Sequence, residues 1–296
     1  MSRTALVTAV CILLAGTLIP DSLESADSLH RDEEYDREYA LLNELLSQSD
    51  TGYSRAEILI RLSRSRMTAG DRMLEEERPR DEVVRAYEEG AGFASLSIEA
   101  DPRSYLAYYY RSLNIFKKGR QRGLLESLDS APAVKDDLEK AIVANPDHAE
   151  SWRTLGILYR TLPGLISFGS DDYAVSLGRK ALELSSDTAC GVRLDLARNL
   201  YERDWDADKR YAALEGKSLE YRKRSSLLEK NWFFEGTLDF SLTPSYAPKP
   251  LRNLSDREEA QALLSRIKEE LESLSDPEPS ERRLLDRVLE IYLEGF

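Results

Sequence analysis

The sequence predicts an all-α protein, a row of helical hairpins stacked into an α-solenoid, and three observations carry that prediction. Leu far outnumbers Val and Ile together, so the β-branched residues that favour strands are scarce. From about residue 29 onward, apolar residues recur at helical spacing in one segment after another. Two dipeptides, Asp101-Pro102 and Asn145-Pro146, each close a stretch of small and apolar residues and open one rich in aromatics. Such internal similarity is the signature of a repeat array. A length of 296 residues suffices for one large domain or two small ones.

The first segment reads as a targeting signal. Arg3 precedes an uncharged run, 5–19, that Pro20 and Asp21 end. As helix this run reaches roughly 22 Å, short of a ~30 Å hydrocarbon core. Residues 1–26 are therefore expected to be a cleaved secretory signal, or an N-terminal anchor if retained, with the cut between Gly16 and Ala26. Cys11 is followed by Ile12, Leu13 and Leu14, whereas a lipidated Cys should end the run. With the signal gone, Cys190 is the one remaining thiol, and the expectation is a buried structural Cys with no intramolecular disulfide.

The helical-repeat domain is expected over 27–230. Its first helix, 33–47, carries Tyr35, Tyr39, Leu42 and Leu46 on one stripe. Ser54 with Glu57 forms a capping box for a second helix bearing Ile58, Leu59 and Leu62. After Pro79 a third helix, 81–99, has Val83, Val84, Tyr87, Ala91 and Ala94 as its face. Pro102 and Pro146 then stand where Pro stops an incoming helix yet tolerates a helix start. Behind Pro146 come Trp152, Leu155, Gly156 and Tyr159, a W-x2-L-G-x2-Y spacing. Tyr108, Arg111, Ser112 and Ile115 follow Pro102 in a weaker copy, and Ala174 and Ala181 stand seven apart in the helix after Tyr159.

This pattern resembles the tetratricopeptide repeat (TPR): a large anchor, a small residue where paired helices cross, and a second anchor one turn on. The resemblance is specific over 145–185, moderate over 81–203 and weak outside. The Pro signals lie 44 positions apart, so about ten extra residues are expected near 118–132. A fourth unit holds Leu196, Ala197 and Leu200, with a partner helix over 206–228. From 231 to 254 the chain has Trp232, Phe233, Phe234 and Phe240 without helical period, which predicts an extended strap across the helices. Ser255 with Glu258 caps a helix to about 274. A last helix from Pro277, Pro279 and Ser280, carrying Leu284, Leu285, Val288, Ile291 and Tyr292, is expected to cap the array. Residues 231–296 are thus expected on the same domain.

Composition bounds the function. With 41 Lys plus Arg against 54 Asp plus Glu, the net charge is −13, which repels phosphate backbones and argues against nucleic acid. Two Cys and two His exclude structural zinc. No glycine-rich phosphate loop, G-x-S-x-G or H-E-x-x-H occurs. His148 reads as a surface or capping residue. The pairs Asp136-Asp137 and Asp171-Asp172 stand at helix starts, where they complement the helix dipole. No catalytic residue, metal or cofactor is expected.

In TPR proteins the first helix of each pair lines the concave face, and this resemblance implies Arg153, Ile157 and Arg160 as groove residues. The preceding repeat contributes Leu106, Tyr109, Leu113 and Phe116, and the following one Leu194, Arg198 and Tyr201. Arg suits paired hydrogen bonds to a carboxylate, so a small organic acid, a peptide carboxy terminus or an acidic loop would fit. The alternative is that the aromatics are core and the arginines face water. Leu162, Pro163, Gly164, Leu165, Ile166 and Phe168 form an apolar insertion inside the best repeat. Three roles fit it: a lid over the groove, the lining of a pore between subunits, or a structural plug.

A leader, helical repeats and a Leu-Pro-Gly insertion resemble the T components of TRAP-transporter systems. That resemblance implies a periplasmic, non-enzymatic solenoid that assists a substrate-binding protein and self-associates around a pore. The leading expectation is an exported scaffold for a protein partner, periplasmic or membrane-anchored facing the periplasm. The alternative is a small-ligand-binding accessory of transport, which requires Arg153 and Arg160 to converge beside an apolar wall.

Overall fold

A computed structural model describes residues 22–48, 52–185, 189–213 and 234–293. The leader run with Cys11, the stretch 214–230 of the expected partner helix, and Trp232 and Phe233 lie outside the described residues, as does the side chain of Tyr292. Among the described residues every regular element is helical. In order these are α1 (Leu23–Arg31), α2 (Tyr35–Ser47), α3 (Arg55–Glu75), α4 (Arg80–Ala100), α5 (Tyr105–Arg122), α6 (Leu124–Ala144), α7 (Ala149–Thr161), α8 (Asp171–Leu184) and α9 (Cys190–Arg203). A helix over 207–213, α10, follows, then α11 (Asp256–Glu272) and α12 (Pro279–Leu293).

The most extensive packing joins α3 to α4, α5 to α6 and α4 to α5, followed by α7 to α8, so each helix packs chiefly on its neighbours in sequence. This is the nearest-neighbour architecture of a helical-hairpin solenoid. Its core is accordingly segmented into three clusters: one around Leu42, Leu59 and Leu62, one around Trp152, Leu138 and Leu177, and one around Leu200, Leu264 and Ile267.

The two Pro signals are built as near copies. Asp101 and Asn145, the C-caps of α4 and α6, share backbone angles, φ/ψ −141/94° and −143/92°. Each side chain accepts from the backbone N–H two residues on, at 3.1 and 3.2 Å. The Pro102 carbonyl accepts from Tyr108 Oη at 3.2 Å, and the Pro146 carbonyl from Trp152 Nε1 at 2.7 Å. The repeat is thus a shared hydrogen-bond pattern as well as a spacing. Leu155, Tyr159, Ala174 and Ala181 are all buried around Trp152. Gly156 marks the closest approach of α7 to α8: a Cβ there would lie 3.1 Å from the Ala174 carbonyl oxygen and 3.4 Å from Leu177 Cβ.

Two boundaries differ from expectation. The extra residues near 118–132 do not form a separate insertion. They lengthen the helices, α5 to 18 residues and α6 to 21, with Gly123 at φ +108° as the sole joint. That conformation costs an L side chain energy but not glycine. The leader boundary at 26 cuts through α1, whose N-cap is Ser22 and whose Leu23 and Ala26 pack with Leu42 and Leu59. The described fold therefore already includes residues from Ser22 onward. Both capping boxes form, Ser54 with Glu57 and Ser255 with Glu258.

The strap forms a 3-10 turn at Phe234–Thr237 and a second at Leu251–Asn253, and it is held by charge rather than by its aromatics alone. Arg179 of α8 donates to Glu235 at 2.8 Å and to both oxygens of Glu259 at 2.7 and 2.8 Å. Arg203 of α9 grips Asp256 at 2.7 and 2.8 Å and also bonds Glu235. Arg210 of α10 bonds Glu259 and, at 3.1 Å, the Leu254 carbonyl. Tyr246 Oη donates to Glu259 at 2.8 Å. All six charged groups are buried, and three cations balance three anions. Isolated, each would cost several kcal/mol of desolvation; the forked pairing offsets that cost. This clasp fastens strap and α11 to the end of the array.

Candidate functional site

The inner side of the array is set by its own packing. Among the described residues α3 touches α5, and α7 touches α9, whereas no comparable contact joins α4 to α6 or α6 to α8. First helices thus meet at α3 with α5 and at α7 with α9, though α5 and α7 make no comparable contact, and Arg153, Ile157 and Arg160 stand on one side of α7 at helical spacing.

The structure brings Arg153 and Arg160 together, but around an acid that the sequence reading missed. Asp195 of α9 accepts from Arg153 Nε at 2.6 Å and faces Arg160 at 3.8 Å. Arg153 also bonds Glu150 at 3.0 Å. Burial pulls the Arg153 guanidinium down, yet Asp195 and Glu150 hold it above the usual arginine range. Arg160 goes the other way. Burial pushes it down, Asp195 and Glu202 oppose, and Arg198 and Arg120 add repulsion. Its Nε is buried without a hydrogen-bond partner. Arg198 is likewise lowered by burial, and the charges of Arg287 and Arg153 add to that against Asp195. Among the described residues no carboxylate forms an ion pair with Arg198. The groove centre thus gathers Arg153, Arg160 and Arg198 around Asp195, with Glu150 and Glu202 nearby.

Other expected groove residues fall elsewhere. Tyr109 is 8% exposed and belongs to the central core. Its ring meets His148 edge-on at 4.9 Å, and burial pushes its phenol above the usual range. Phe116 and Leu113 are half-buried against the same core, and Leu194 is buried in the last cluster. Tyr201 is covered by Arg257 of α11, 4.6 Å from the ring centroid. Ile157 and Leu106 remain half-buried. His148 bonds Ser151 at 2.8 Å beside Tyr105 and Tyr109, so it is half-buried packing rather than a surface residue. Cys190 is half-buried, not buried, with Glu270 beside it.

The apolar insertion does not cover the groove. Leu162 enters the core, Phe168 meets Tyr159 at 5.3 Å, and Lys135 of α6 lies 5.1 Å from the Phe168 ring. The loop thus leans on α6, a second-rank helix, and is no lid over the first rank. A Cβ on Gly169 would lie 1.7 Å from the Leu162 carbonyl oxygen, which only glycine permits. Pro163 and Gly164 open the turn, and its tip exposes Leu165 fully and Ile166 to 67%.

The first and last described helices both meet the early part of the array. Asp27 of α1 pairs with Arg61 and Arg64 of α3 at 2.9 and 2.8 Å. Far along the chain, Arg283 of α12 donates to Glu33, between α1 and α2, at 3.0 Å. A cleft of about 520 Å³ lies between them, lined by Glu33, Tyr35, Asp71, Arg72, Glu75 and Arg283 among others. One turn on, Arg287 lies within electrostatic range of Arg198, and Val288 packs into the last core cluster. Helix α12 therefore packs on α11 and reaches Glu33 through Arg283.

Residues 22–165 match the family described as regulator of microtubule dynamics protein 1-3. That match begins at the Ser22 N-cap and ends in the insertion loop, so it holds α1 to α7 and leaves out α8, α9, the clasp and α12. The chain is similar to the protein named regulator of microtubule dynamics protein 1 from Pongo abelii, 28% identical over 152 residues, 51% of this chain and 46% of that protein. With the protein of the same name from Bos taurus it is 31% identical over 140 residues, 47% of this chain and 41% of that one. The chain thus spans under half the length of these relatives. Among solved structures it is similar to TTC0263, a thermophilic TPR protein in Thermus thermophilus, at 17% identity and TM-score 0.47, covering 73% of this chain and 96% of that one. MamA, also at 17% identity, gives a TM-score of 0.37 over 71% of this chain and 91% of that one.

Proposed function

We propose that this protein is a non-enzymatic helical-repeat scaffold that holds a protein partner along its inner groove. The observation that carries this reading is the incompletely neutralised line of Arg160 and Arg198 beside Ile157, on the inner rank of an otherwise acidic chain. Small-ligand transport is less well supported, because the arginines it requires converge on Asp195 instead of on free space. A microtubule-associated partner is the candidate that the family match favours, since α1 to α7 resemble proteins named for that role.

Affinity purification with the full chain tests both. Ile157→Asp with Arg198→Glu is expected to lower recovery of a specific partner more than tenfold without changing the melting temperature. Leu165→Ser with Ile166→Ser should leave recovery unchanged. Tubulin among the groove-dependent proteins would support the microtubule reading. Recovery insensitive to the groove variant would overturn the scaffold reading.

Export to the periplasm, by cleavage of the leader or with it kept as an anchor, is the alternative setting of the scaffold, and it excludes tubulin as the partner. Because Leu23 and Ala26 are core residues, a cleaved chain is expected to begin at or before Ser22. N-terminal sequencing of the secreted or periplasmic fraction checks this, and a mature terminus beyond Ala26 would contradict it.

A further inference from the structure

The joints between successive hairpins are not built alike. At the first, Asn114 of α5 is fully buried and donates to Ser63 Oγ of α3 at 3.1 Å. It lies so close to α4 that a Cβ on Gly90 would stand 2.3 Å from its Oδ1. At the third, Asn199 of α9 is buried and donates to the Ala174 carbonyl of α8 at 2.8 Å, and a Cβ on Gly178 would stand 3.0 Å from its Nδ2. Both amides hold one repeat position, two residues after the small residue of the first helix, which is Ser112 in one copy and Ala197 in the other. In the middle copy the small residue is Gly156, and the matching position is Leu158, buried in the central core together with Val134 of α6.

Ion pairs follow the same division. Lys117 of α5 meets Asp71 of α3 at 2.7 Å, and Arg122 meets Glu88 of α4 at 2.6 Å. Asp195 of α9 accepts from Arg153 of α7 at 2.6 Å. None of the ion pairs among the described residues joins α5 or α6 to α7 or α8. What crosses there is a hydrogen bond between Tyr109 and Thr154 and the contact of Lys135 with the Phe168 ring, over apolar packing. Helix α6 also packs less extensively on α7 than α4 does on α5 or α8 on α9. Hydrogen bonds fix direction, whereas apolar burial is non-directional and lets packed helices slide.

We propose that the array is two rigid bodies, α1 to α6 and α7 to α12, that pivot on the apolar joint around Leu158 and Val134, with the Glu33–Arg283 pair as a weak closure at the far side. The clasp makes α8 to α11 one unit, and α12 packs on α11, so Arg283 belongs to the second body while Glu33 belongs to the first. The two ends touch without packing: the cleft of about 520 Å³ beside the pair is lined by Tyr35 and Asp71 on one side and Arg283 on the other. An exposed pair contributes little, so it sets the angle of a soft joint and not of a stiff one. This inference goes beyond the scaffold reading and needs no partner.

Double electron–electron resonance on the full chain, with Cys11→Ser and Cys190→Ser, tests the pivot. Spin labels are placed in pairs at exposed sites: Glu99→Cys with Asp129→Cys inside the first body, Glu183→Cys with Glu269→Cys inside the second, and Glu99→Cys with Glu269→Cys across the joint. The crossing pair is expected to give a distance distribution about twofold broader than either internal pair. Glu33→Arg should broaden it further and move it to longer distance, and adding Arg283→Glu should restore the parent distribution. Equal widths for the three pairs would overturn the pivot, as would a crossing distribution indifferent to Glu33→Arg.

Discussion

Glu235→Ala is expected to cost about 3–5 kcal/mol, the range for breaking a buried ion pair and leaving its partner charged. Removing this one carboxylate leaves three buried guanidinium groups facing two acids. Arg203 keeps only Asp256 and Arg179 only Glu259. Urea unfolding followed by tryptophan fluorescence reads the effect directly, because Trp205 stacks 4.4 Å from the Arg203 guanidinium. Arg203→Met combined with Glu235→Met removes one charge of each sign and keeps volume, so it should recover most of the loss. A single variant within about 1 kcal/mol of the parent would contradict the reading of the clasp as a balanced unit.

The same network should make the protein acid-labile in a defined window. Burial pushes the Glu259 carboxyl up, but Arg179 and Arg210 overcome it and hold it down at about 2 against an ordinary 4.5. Glu235 is driven lower still, by Arg203 and then Arg179 against the same burial. A carboxylate whose folded value is depressed contributes stability that is complete above its unfolded value and fades as pH falls toward the folded one. The contribution is therefore whole above about pH 4.5 and is lost from there down to about 2. For Glu259 alone the shift corresponds to about 3 kcal/mol. The melting temperature is expected to stay level from pH 7 to about 5 and drop steeply below 4.5, with a shallower drop in the Arg203→Met, Glu235→Met variant. Parallel pH profiles for the two proteins would rule this out.

What the sequence made legible was whatever is local. Pro102 and Pro146 announce the repeat because each Pro and its anchor lie six residues apart, and Ser54 with Glu57 announces a helix start within one turn. Arg153 and Arg160 are seven apart and share a side of α7, so their convergence was readable. Their acid, Asp195, arrives from another helix, and no local pattern marks it. The clasp was hidden for the same reason. Arg179, Arg203 and Arg210 look like ordinary helix-surface residues, and Asp256 and Glu259 look like first-turn acids complementing a dipole. One signal was available: Glu235 is a lone acid directly after an aromatic run, a place where an unpaired charge would be expensive to bury. Tyr109 misled because a three-Tyr run spreads over half a helix circumference, and the resemblance assigns one of them to the groove where packing makes it core.

The clasp also imposes an order of events during synthesis. Helices α1 to α7 bury most of their apolar surface against sequence neighbours, so they can form as the chain lengthens. Arg179 and Arg203 cannot: their acids lie as far as 80 residues downstream. Until Glu259 has emerged, the ribosome-bound chain carries two guanidinium groups at positions destined for the interior, with nothing there to neutralise them. The second half of the array is thereby kept open until α11 has emerged, and closes in one step when it arrives.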